Sequence, residues 1–275
     1  MFKALDPIRS RAFFMSPFHE ELEFALSLTD DSRRIILSHY GSQLKVEWKG
    51  DASPVTLADK GTEEVLRNRI QKTMPGSGII GEEFGHEPGS TNREWVIDPI
   101  DGTKAFIHGV PLFGTLIAML ENGEPVLGII DLPVLGQRVY ATRGGGCFLN
   151  GKPCSVSDVE KLEDALILDG CITTMESLGY GPAWAKLRKQ ARLHRGWGDC
   201  YGHYLVATGA AEVMADPTAE IWDLAPMAVI LPEAGGRFTS FKGRNSIRDR
   251  SGLSTNGKLH DEVLRALVAH FDTSA

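Results

Sequence analysis

The sequence predicts a mixed α/β protein in which short apolar strands alternate with amphipathic helices. Apolar runs of strand length recur along the chain, for example at Ile79-Ile80 and Leu166-Ile167-Leu168. Longer segments with apolar residues at helical spacing lie between several of these runs, as at residues 201–208. In addition, Asn122-Gly123 stands between two apolar runs, which is a strong signal for a β-hairpin. Together these features indicate an α/β or α+β architecture.

Two helical segments are predicted before the first strand. Residues 19–44 carry apolar side chains at helical spacing, with Asp30-Asp31-Ser32 at a candidate break, which indicates one or two amphipathic helices. The polar, glycine-containing stretch at residues 48–54 predicts a loop. Residues 59–70 then predict another helix. The first of these segments is expected to serve as scaffold.

The run from Asp98 to Thr103 carries the clearest chemical signal in the chain. Trp95-Val96-Ile97 predicts a buried strand that leads into Asp98, and a second carboxylate, Asp101, follows three positions later. Pro99 is expected to end the strand ladder, and Gly102 to let the backbone turn. Two carboxylates at close range can both stay ionised only around a cation, and oxygen ligands favour a hard ion. The run therefore predicts a Mg²⁺ site.

Other acidic residues also stand at the ends of elements, and each has an ordinary alternative role. Glu82-Glu83 follows the predicted strand Ile79-Ile80, although such pairs are usually solvated. Asp223 begins a predicted helix and could be only its N-cap. Asp-Pro and Asp-Gly are common turn formers, so the run that starts at Asp98 could be only a turn. The helix predicted after Gly102 would offer its N-terminus to an anion such as phosphate.

The second half of the chain is predicted to be an α/β unit. Strand patterns fill residues 112–140, and beyond them the sequence predicts strands at 166–168, 213–215 and 237–238 and helices at 201–208 and 222–234. We place a boundary near residues 150–160. An N-terminal α+β half at 1–152 would carry most metal ligands, and a C-terminal α/β half at 153–275 would carry Asp223 and the residues of substrate specificity. The halves are expected to pack closely, because no Pro/Ser-rich linker separates them.

Composition and charge argue against several classes of function. The chain has 275 residues, a hydrophobic fraction of 42% and a formal charge of −7 without a long Lys/Arg run, which disfavours a nucleic-acid surface. The longest apolar stretch, residues 112–120, is far shorter than the roughly 20 residues of a spanning helix, so no membrane segment is expected. Residues 1–18 lack a signal-peptide core, so a cytoplasmic location is expected. Four cysteines without C-x-x-C spacing predict reduced, mostly buried thiols.

Five motifs of this sequence resemble those of the inositol monophosphatase-like, Mg²⁺-dependent, lithium-sensitive phosphatases. They are Ser53-Pro54-Val55-Thr56-Leu57-Ala58-Asp59, Gly81-Glu82-Glu83, the run from Trp95 to Thr103, Trp222-Asp223-Leu224-Ala225-Pro226 and Glu233-Ala234-Gly235-Gly236. The match spans nearly the whole chain. The resemblance implies a layered αβαβα sandwich of the inositol monophosphatase and fructose-bisphosphatase type, usually a homodimer. It also implies a small-molecule phosphate monoester as substrate, bound between the two halves.

The resemblance also implies a set of metal ligands. Glu82, Asp98 and the carbonyl of Ile100 would hold a first Mg²⁺, while Asp98, Asp101 and Asp223 would hold a second. Asp98 would thus bridge the two ions. Glu82 would also position a water molecule at a weaker third ion, so that two or three Mg²⁺ ions would serve each site.

The same resemblance assigns catalytic roles to nearby residues. Gly102 and Thr103 would offer backbone N–H groups to the phosphate. The Oγ of Thr103, paired with Asp59, would orient and deprotonate the attacking water, with Glu82 as a further catalytic residue. Metal-assisted, in-line displacement of this kind needs no covalent phospho-enzyme.

Within the family, residues 195–202, Asp216-Pro217 and residues 221–223 look most like the histidinol-phosphate phosphatase branch of histidine biosynthesis. L-Histidinol phosphate carries an ammonium and an imidazole, which carboxylates such as Asp199 and Asp216 would attract. Arg195 and Asp223 complete the predicted substrate-binding residues. The alternatives are a salt bridge for Arg195 and a helix cap for Asp199.

Other functions stay open at this point. The same metal site could serve inositol 1-phosphate, a nucleotide 3′-phosphate such as phosphoadenosine phosphate, or a sugar bisphosphate. A nucleotide would gain from more basic or aromatic pocket residues than Arg195 and Trp197 supply. A non-catalytic metal- or phosphate-sensing scaffold is a different class. The presence of both metal ligand sets and Thr103 argues against a scaffold.

Overall fold

The computed structural model describes residues 17–42, 46–48 and 54–272. Most of residues 1–18 and of the loop predicted at 48–54 lies outside the described residues, as does Ser53 of the first family motif. The short strands β1 (Val46–Trp48) and β2 (Pro54–Thr56) pair antiparallel on either side of that loop.

An eight-stranded mixed sheet forms the first large layer. Its spatial order is β10-β9-β8-β7-β6-β5-β3-β4, and only β3 and β5 pair parallel. The strands are β3 (Gly78–Gly81), β4 (Gly85–Glu87), β5 (Arg93–Asp101), β6 (Gly114–Glu121), β7 (Glu124–Leu132), β8 (Gln137–Thr142), β9 (Gly146–Leu149) and β10 (Lys152–Pro153).

A five-stranded mixed sheet forms the second layer, in the order β12-β11-β13-β15-β14. Strand β11 pairs parallel with β12 and β13, and β15 pairs antiparallel with β13 and β14. The strands are β11 (Leu166–Asp169), β12 (Leu193–Arg195), β13 (Val213–Asp216), β14 (Arg237–Thr239) and β15 (Gly252–Thr255). The eight-stranded sheet thus ends at Pro153 and the second begins at Leu166, while the proposed division at residue 152 into two halves stays a prediction.

The helices complete five layers, which confirms the predicted αβαβα sandwich. One pair covers the outer face of the first sheet, three helices lie between the sheets, and three cover the outer face of the second. In that order they are α1 (His19–His39) and α2 (Leu57–Thr73); α6 (Asp199–Ala207), α7 (Ile221–Leu224) and α8 (Met227–Glu233); and α4 (Ile172–Ser177), α5 (Gly181–Gln190) and α9 (His260–Asp272). The short helix α3 (Thr103–Ile107) follows β5.

Both faces of the first sheet are apolar because helices cover both. Along β5, Trp95 and Ile97 pack against α1 and α2, while Val96 between them packs into the layer of helices that separates the sheets. Successive strand residues point to opposite faces, so a sheet buried on both faces needs continuous apolar runs. This is why the central strands read as unbroken apolar segments.

Several predicted elements are confirmed, the choice between one helix and two at residues 19–44 is resolved, and two elements need correction. The hairpin at Asn122-Gly123 joins β6 to β7, with both residues at positive φ as a tight primed turn requires. Residues 19–39 form one helix without a break, because Asp31 pairs with Arg34 and Arg69 instead of ending it. Strand β5 does not end at Pro99: it continues to Asp101 across a shift in register. The helix predicted at 222–234 is divided into α7 and α8 around Pro226.

The cysteines are all free thiols, as predicted, although only Cys147 and Cys200 are buried. Cys171 is exposed and Cys154 is partly buried. Among the described residues, no helix combines the length and apolarity needed to cross a bilayer.

Candidate active site

Parallel pairing of β3 and β5 brings Glu82 and Asp98 side by side. Gly81 pairs with Ile97, so the next residue of each strand emerges at the same edge of the sheet. The N–H of Glu82 donates to the Ile97 carbonyl at 3.3 Å, and, after burial, the negative charge of Glu82 is close enough to raise the pKa of Asp98. The two predicted ligands of the first ion are therefore neighbours.

The backbone after Asp98 folds into a compact turn. The N–H of Ile100 donates to Asp98 Oδ1 at 2.9 Å, and the pairing with β6 shifts register between Asp98 and Asp101. Gly102 follows with φ +84°, a left-handed conformation that favours glycine, and a Cβ there would lie 3.1 Å from the Leu112 carbonyl. Asp98 is thus a turn former and a candidate ligand at once.

Asp223 reaches the site from the layer of helices between the sheets. It lies on α7, which packs on β5. The N–H of Glu220 donates to Asp223 Oδ2 at 2.7 Å, so Asp223 belongs to a capping box. Its position is the third of the helix and not the N-cap, which is Glu220. The cap interpretation and the ligand interpretation are therefore compatible.

Three of the predicted ligands converge. Carboxylate oxygens of Asp98, Asp101 and Asp223 lie within 4.8 Å of one another. Burial raises the pKa of Asp98 well above its usual value, and the negative charges of Glu82, Asp101 and Asp223 raise it further. Burial is also the main cause of the raised pKa values of Asp101 and Asp223. Carboxylates held this close repel one another unless a cation lies among them.

This donor set fits a hard divalent cation. It consists of carboxylate oxygens, with the Ile100 carbonyl directly beyond Asp98 in the same turn. Magnesium prefers such all-oxygen surroundings. Imidazole plays no part in this group: His203 is buried, and its Nδ1 bonds Ser254 Oγ at 2.8 Å.

The predicted pair of Thr103 and Asp59 is not formed in the structure. Thr103 Oγ donates to the Ile100 carbonyl at 3.0 Å, whereas Asp59 Oδ2 accepts from the N–H and the hydroxyl of Thr56 at 2.8 and 2.6 Å. The capping box of α2 therefore uses one Asp59 oxygen. The other, Oδ1, is buried and has no hydrogen-bond partner among the described residues, and burial raises the Asp59 pKa to about 6.

A cleft of about 380 Å³ opens beside the carboxylate cluster. It brings Asp101 and Asp223 together with two predicted substrate residues, Asp199 and Asp216. Its full lining is Asp101, Lys104, Gly170, Cys171, Thr174, Asp199, Cys200, His203, Asp216, Pro217, Thr218 and Asp223. Cys200 N donates to Asp101 Oδ2, which joins the first turn of α6 to the end of β5.

The backbone of Asp199, which lines this cleft, has an unusual conformation. Its φ is +53°, in the left-handed region that Asp tolerates better than most residues. It does not cap α6 with its side chain, because the N-cap is Gly198 and no side-chain cap bond forms there. Non-glycine residues held in this region cluster at functional sites.

Arg195 does not line the cleft. It ends β12, its side chain is exposed, and its Nη1 donates to the carbonyl of the preceding His194 at 2.7 Å. Its role in substrate binding therefore stays a prediction. The sequence analysis did not place Lys104 or Cys171 in the cleft. The only sequence signal for Lys104 was its position one residue after Thr103.

Comparison with known proteins agrees with this fold. The inositol monophosphatase family model matches residues 19–271. The chain is 42% identical to a histidinol-phosphatase of Chlorobaculum parvum over 90% of this chain and 96% of that protein, and 38% identical to one of Mycobacterium tuberculosis over 91% and 99%. The solved structure of an IMPase of Thermotoga maritima superimposes with a TM-score of 0.84 at 30% identity, covering 93% of this chain and all of the other.

The layered fold and the carboxylate cluster define a metal-dependent phosphatase. The chain belongs to the inositol monophosphatase family. It is accordingly a hydrolase that acts on phosphate esters and not a non-catalytic scaffold.

Proposed function

We propose that this protein is a Mg²⁺-dependent phosphomonoesterase that hydrolyses L-histidinol phosphate to L-histidinol and inorganic phosphate. The observation that carries the proposal is the presence of Asp199 and Asp216 in the same cleft as the metal-binding carboxylates. A phosphate bound at the cluster would leave its alcohol portion against these two carboxylates. They suit a cationic alcohol better than a neutral polyol.

The carboxylates of Glu82, Asp98, Asp101 and Asp223 and the Ile100 carbonyl would hold two Mg²⁺ ions, with a weaker third near Glu82. When bound, the ions acidify water and neutralise charge on the phosphoryl oxygens. The N–H groups of Gly102 and Thr103 would orient the phosphate.

Thr103 and Asp59 would accept the proton of the attacking water. With the Ile100 carbonyl held by a metal ion, the Thr103 hydroxyl would be free to donate to Asp59 Oδ1, which has no hydrogen-bond partner in the described part of the chain. Water then forms a bond to phosphorus while the bond to the alcohol oxygen breaks. The water proton passes through Thr103 to Asp59, and the departing alcohol oxygen takes a proton from solvent. A base with a pKa of about 6 suits this transfer near neutral pH.

The names of the relatives support this substrate. Histidinol-phosphatases of three bacteria share 36–42% identity with the chain. A fructose-1,6-bisphosphatase/inositol-1-monophosphatase of Thermotoga maritima shares 32% over 90% of the chain, which favours inositol 1-phosphate as the second candidate. From the family resemblance we further propose a homodimer that acts in the cytoplasm in histidine biosynthesis. Light scattering after size exclusion tests the dimer.

Phosphate release from three esters tests the proposal. L-Histidinol phosphate, inositol 1-phosphate and phosphoadenosine phosphate are compared with and without Mg²⁺. We expect Mg²⁺-dependent release and the highest kcat/KM for histidinol phosphate. A preference for another ester would keep the metal mechanism and overturn the substrate. If none of the esters released phosphate in Mg²⁺, the assignment of both substrate and mechanism would be wrong.

A further inference from the structure

A buried ion pair lies on α2, behind the loop that carries Glu82. Glu63 has no exposed surface, and Arg67, one turn later, donates from Nε to Glu63 Oε1 at 2.8 Å. No family motif used above includes either residue. Burying two charges is costly unless further hydrogen bonds satisfy them, so the partners of this pair indicate what it does.

Glu63 and Arg67 both bind the backbone of the segment at residues 82–85, which we name the Glu82 loop. The N–H groups of Glu83 and Phe84 donate to Glu63 Oε2 and Oε1 at 2.8 and 3.1 Å. From the other side, Arg67 Nη2 donates to the Gly85 carbonyl. The Arg67 guanidinium also lies 5.9 Å from the centre of the Phe84 ring. The pair therefore clamps three consecutive residues immediately after Glu82.

Gly81 lets this pair approach the end of β3. A Cβ at Gly81 would collide with the Glu63 carboxylate and would lie 2.8 Å from Arg67 Nη2. The absence of a side chain at this position therefore brings the clamp directly beneath the backbone that presents Glu82.

The charge of the pair is also balanced. Carboxylate oxygens of Asp98, Asp101 and Asp223 already lie within 4.8 Å of one another, and a further negative charge beside them would add to their repulsion. The Arg67 guanidinium compensates the Glu63 carboxylate at 2.8 Å. Glu63 can thus supply two strong acceptors to the loop without adding a net negative charge beside the ligands.

We propose that Glu63 is a positioning residue that fixes the Glu82 loop, so that the Glu82 carboxylate is held in place for Mg²⁺ before the ion binds. This inference rests on the function proposed above. Residues that orient metal ligands from behind affect metal affinity about 10–100-fold when they are changed. Glu63 acts through Glu82 and does not touch the substrate or the ion.

The variant Glu63→Gln tests this role. Glutamine keeps the size of the side chain but replaces one carboxylate oxygen by an NH₂ group, which cannot accept a hydrogen bond, so at least one loop N–H loses its acceptor. Arg67 also loses its counter-charge at 2.8 Å and keeps the more exposed Glu87 at 3.5 Å. We expect Mg²⁺ affinity to fall at least about tenfold, while kcat at saturating Mg²⁺ stays near the wild-type value.

Glu212→Gln is the matched control. Glu212 is also buried and also accepts a backbone N–H, from Leu166 at 2.6 Å, together with the Ser157 hydroxyl at 2.8 Å. It precedes β13, whose far end carries Asp216. The control thus removes an equivalent buried carboxylate from a part of the molecule that holds no predicted metal ligand.

The measurement is calorimetric titration of Mg²⁺ into the full chain without substrate, with thermal unfolding of each variant alongside. Weaker binding in Glu63→Gln and unchanged binding in Glu212→Gln supports the proposal. Equal Mg²⁺ affinity in wild type and Glu63→Gln overturns it, as does equal weakening in both variants. If wild type itself binds no Mg²⁺ and releases no phosphate, the proposed function fails instead.

Arg67→Lys provides a second route if Glu63→Gln does not fold. Lysine keeps the positive charge beside Glu63 but lacks the guanidinium fork that also reaches the Gly85 carbonyl. Weaker Mg²⁺ binding is again expected, and wild-type affinity in this variant would contradict the clamp.

Discussion

At the scale of single residues, Asp98 is the centre of the site. It is 2% exposed, burial and the negative charge of Glu82 raise its pKa, and its carboxylate lies within 4.8 Å of carboxylate oxygens of Asp101 and Asp223. In the absence of a cation these groups repel one another, and with a cation they become its ligands. The same residue should therefore have opposite effects on stability in the two conditions.

Asp98→Asn tests this reversal. The asparagine oxygen can still accept the Ile100 N–H, while one negative charge is removed from the cluster. In EDTA we expect the free energy of unfolding to rise by about 1–4 kcal/mol, the range for one charge pair at about 4 Å between water and a protein surface. The increase in Tm that Mg²⁺ causes in wild type should disappear. Thermal unfolding in EDTA and in Mg²⁺ measures both, and a preserved Mg²⁺ effect would contradict the bridging role.

Asp199 is the residue on which the proposed recognition of histidinol phosphate depends most. The variant Asp199→Asn removes the charge and keeps a residue type that tolerates the φ of +53°, so backbone strain does not confuse the result. Loss of one charge-assisted contact of about 1.5–3 kcal/mol should raise KM for histidinol phosphate roughly 10–100-fold. KM for p-nitrophenyl phosphate should change little. Steady-state kinetics on both esters decides, and an equal rise for both would refute recognition by Asp199.

The predicted metal ligands that the structure brings together are carboxylates that stand at the end of a strand or the start of a helix. Asp98, Asp101 and Asp223 were predicted as ligands, and the structure brings all three together. Glu63 and Arg67 were not singled out, because a Glu and an Arg four residues apart on a helix usually form an exposed pair. Their burial depends on the Glu82 loop folding over α2, which local sequence does not encode.

At the scale of elements, the contact between β7 and the α7–α8 pair positions Asp223. Gly128 of β7 lies directly beneath Pro226, which stands between the two helices. A Cβ at Gly128 would lie 2.5 Å from the Pro226 carbonyl oxygen and 2.9 Å from its Cα. Backbone atoms cannot yield as a flexible side chain can, so a larger residue must move the helices.

Gly128→Ala is expected to cost about 1–3 kcal/mol of unfolding free energy, as overpacked cores do. It should also weaken Mg²⁺ binding, because α7 carries Asp223. Gly61→Ala on α2 is the control: nothing lies within 4 Å of its Cβ, and alanine should stabilise the helix by about 0.5–1 kcal/mol. Urea unfolding and Mg²⁺ titration of both variants test the contrast. A Gly128→Ala protein with wild-type stability would show that this contact is not tight.

Elements were predicted well where one local signal sufficed, as in the Asn122-Gly123 hairpin. The candidate break at Asp30-Asp31-Ser32 does not occur, and the reason is tertiary. Asp30 pairs with Arg138, Asp31 with Arg69, and Ser32 bonds Thr115, so three polar residues lie mid-helix with distant partners. Helix α1 is therefore stabilised by contacts that periodicity does not reveal.

At the scale of the whole molecule, five layers bury polar groups as well as apolar ones. His260 at the start of α9 is fully buried, with Nε2 3.0 Å from Thr239 Oγ1 and Nδ1 2.9 Å from Thr255 Oγ1. Its pKa is lowered from 6.5 to about 4, mainly by burial and to a smaller extent by the charge of Arg237, while Asp261 opposes the shift. The folded protein thus holds this imidazole neutral.

This histidine should make stability fall on the acid side. Between pH 6.5 and 4 the unfolded chain binds a proton that the folded protein does not, so stability is present above pH 6.5 and lost as pH falls towards 4. From pH 7 to pH 5 the loss is about 2 kcal/mol. In His260→Gln this part of the loss should be absent. The difference between the two proteins in urea unfolding at both pH values measures it, and an identical pH dependence would contradict a buried neutral His260.

The layer architecture was predicted through family resemblance, whereas composition and periodicity alone gave only a mixed α/β class. The reason is that sheet order depends on contacts between distant segments, such as the parallel pairing of β3 with β5. The placement of Arg195 illustrates the same limit of local sequence: its motif indicated the cleft, but the end of β12 directs it outside the lining.

The central claim is that the carboxylate cluster is the metal site of a histidinol-phosphate phosphatase. Its most direct test is phosphate release from L-histidinol phosphate by wild type and Asp98→Asn across a Mg²⁺ titration. We expect turnover by wild type that requires Mg²⁺ and saturates with it, and a loss of at least about 100-fold in Asp98→Asn, since even residues behind metal ligands cost 10–100-fold. Turnover of this ester by Asp98→Asn at the wild-type rate, or by wild type in EDTA, would contradict the claim.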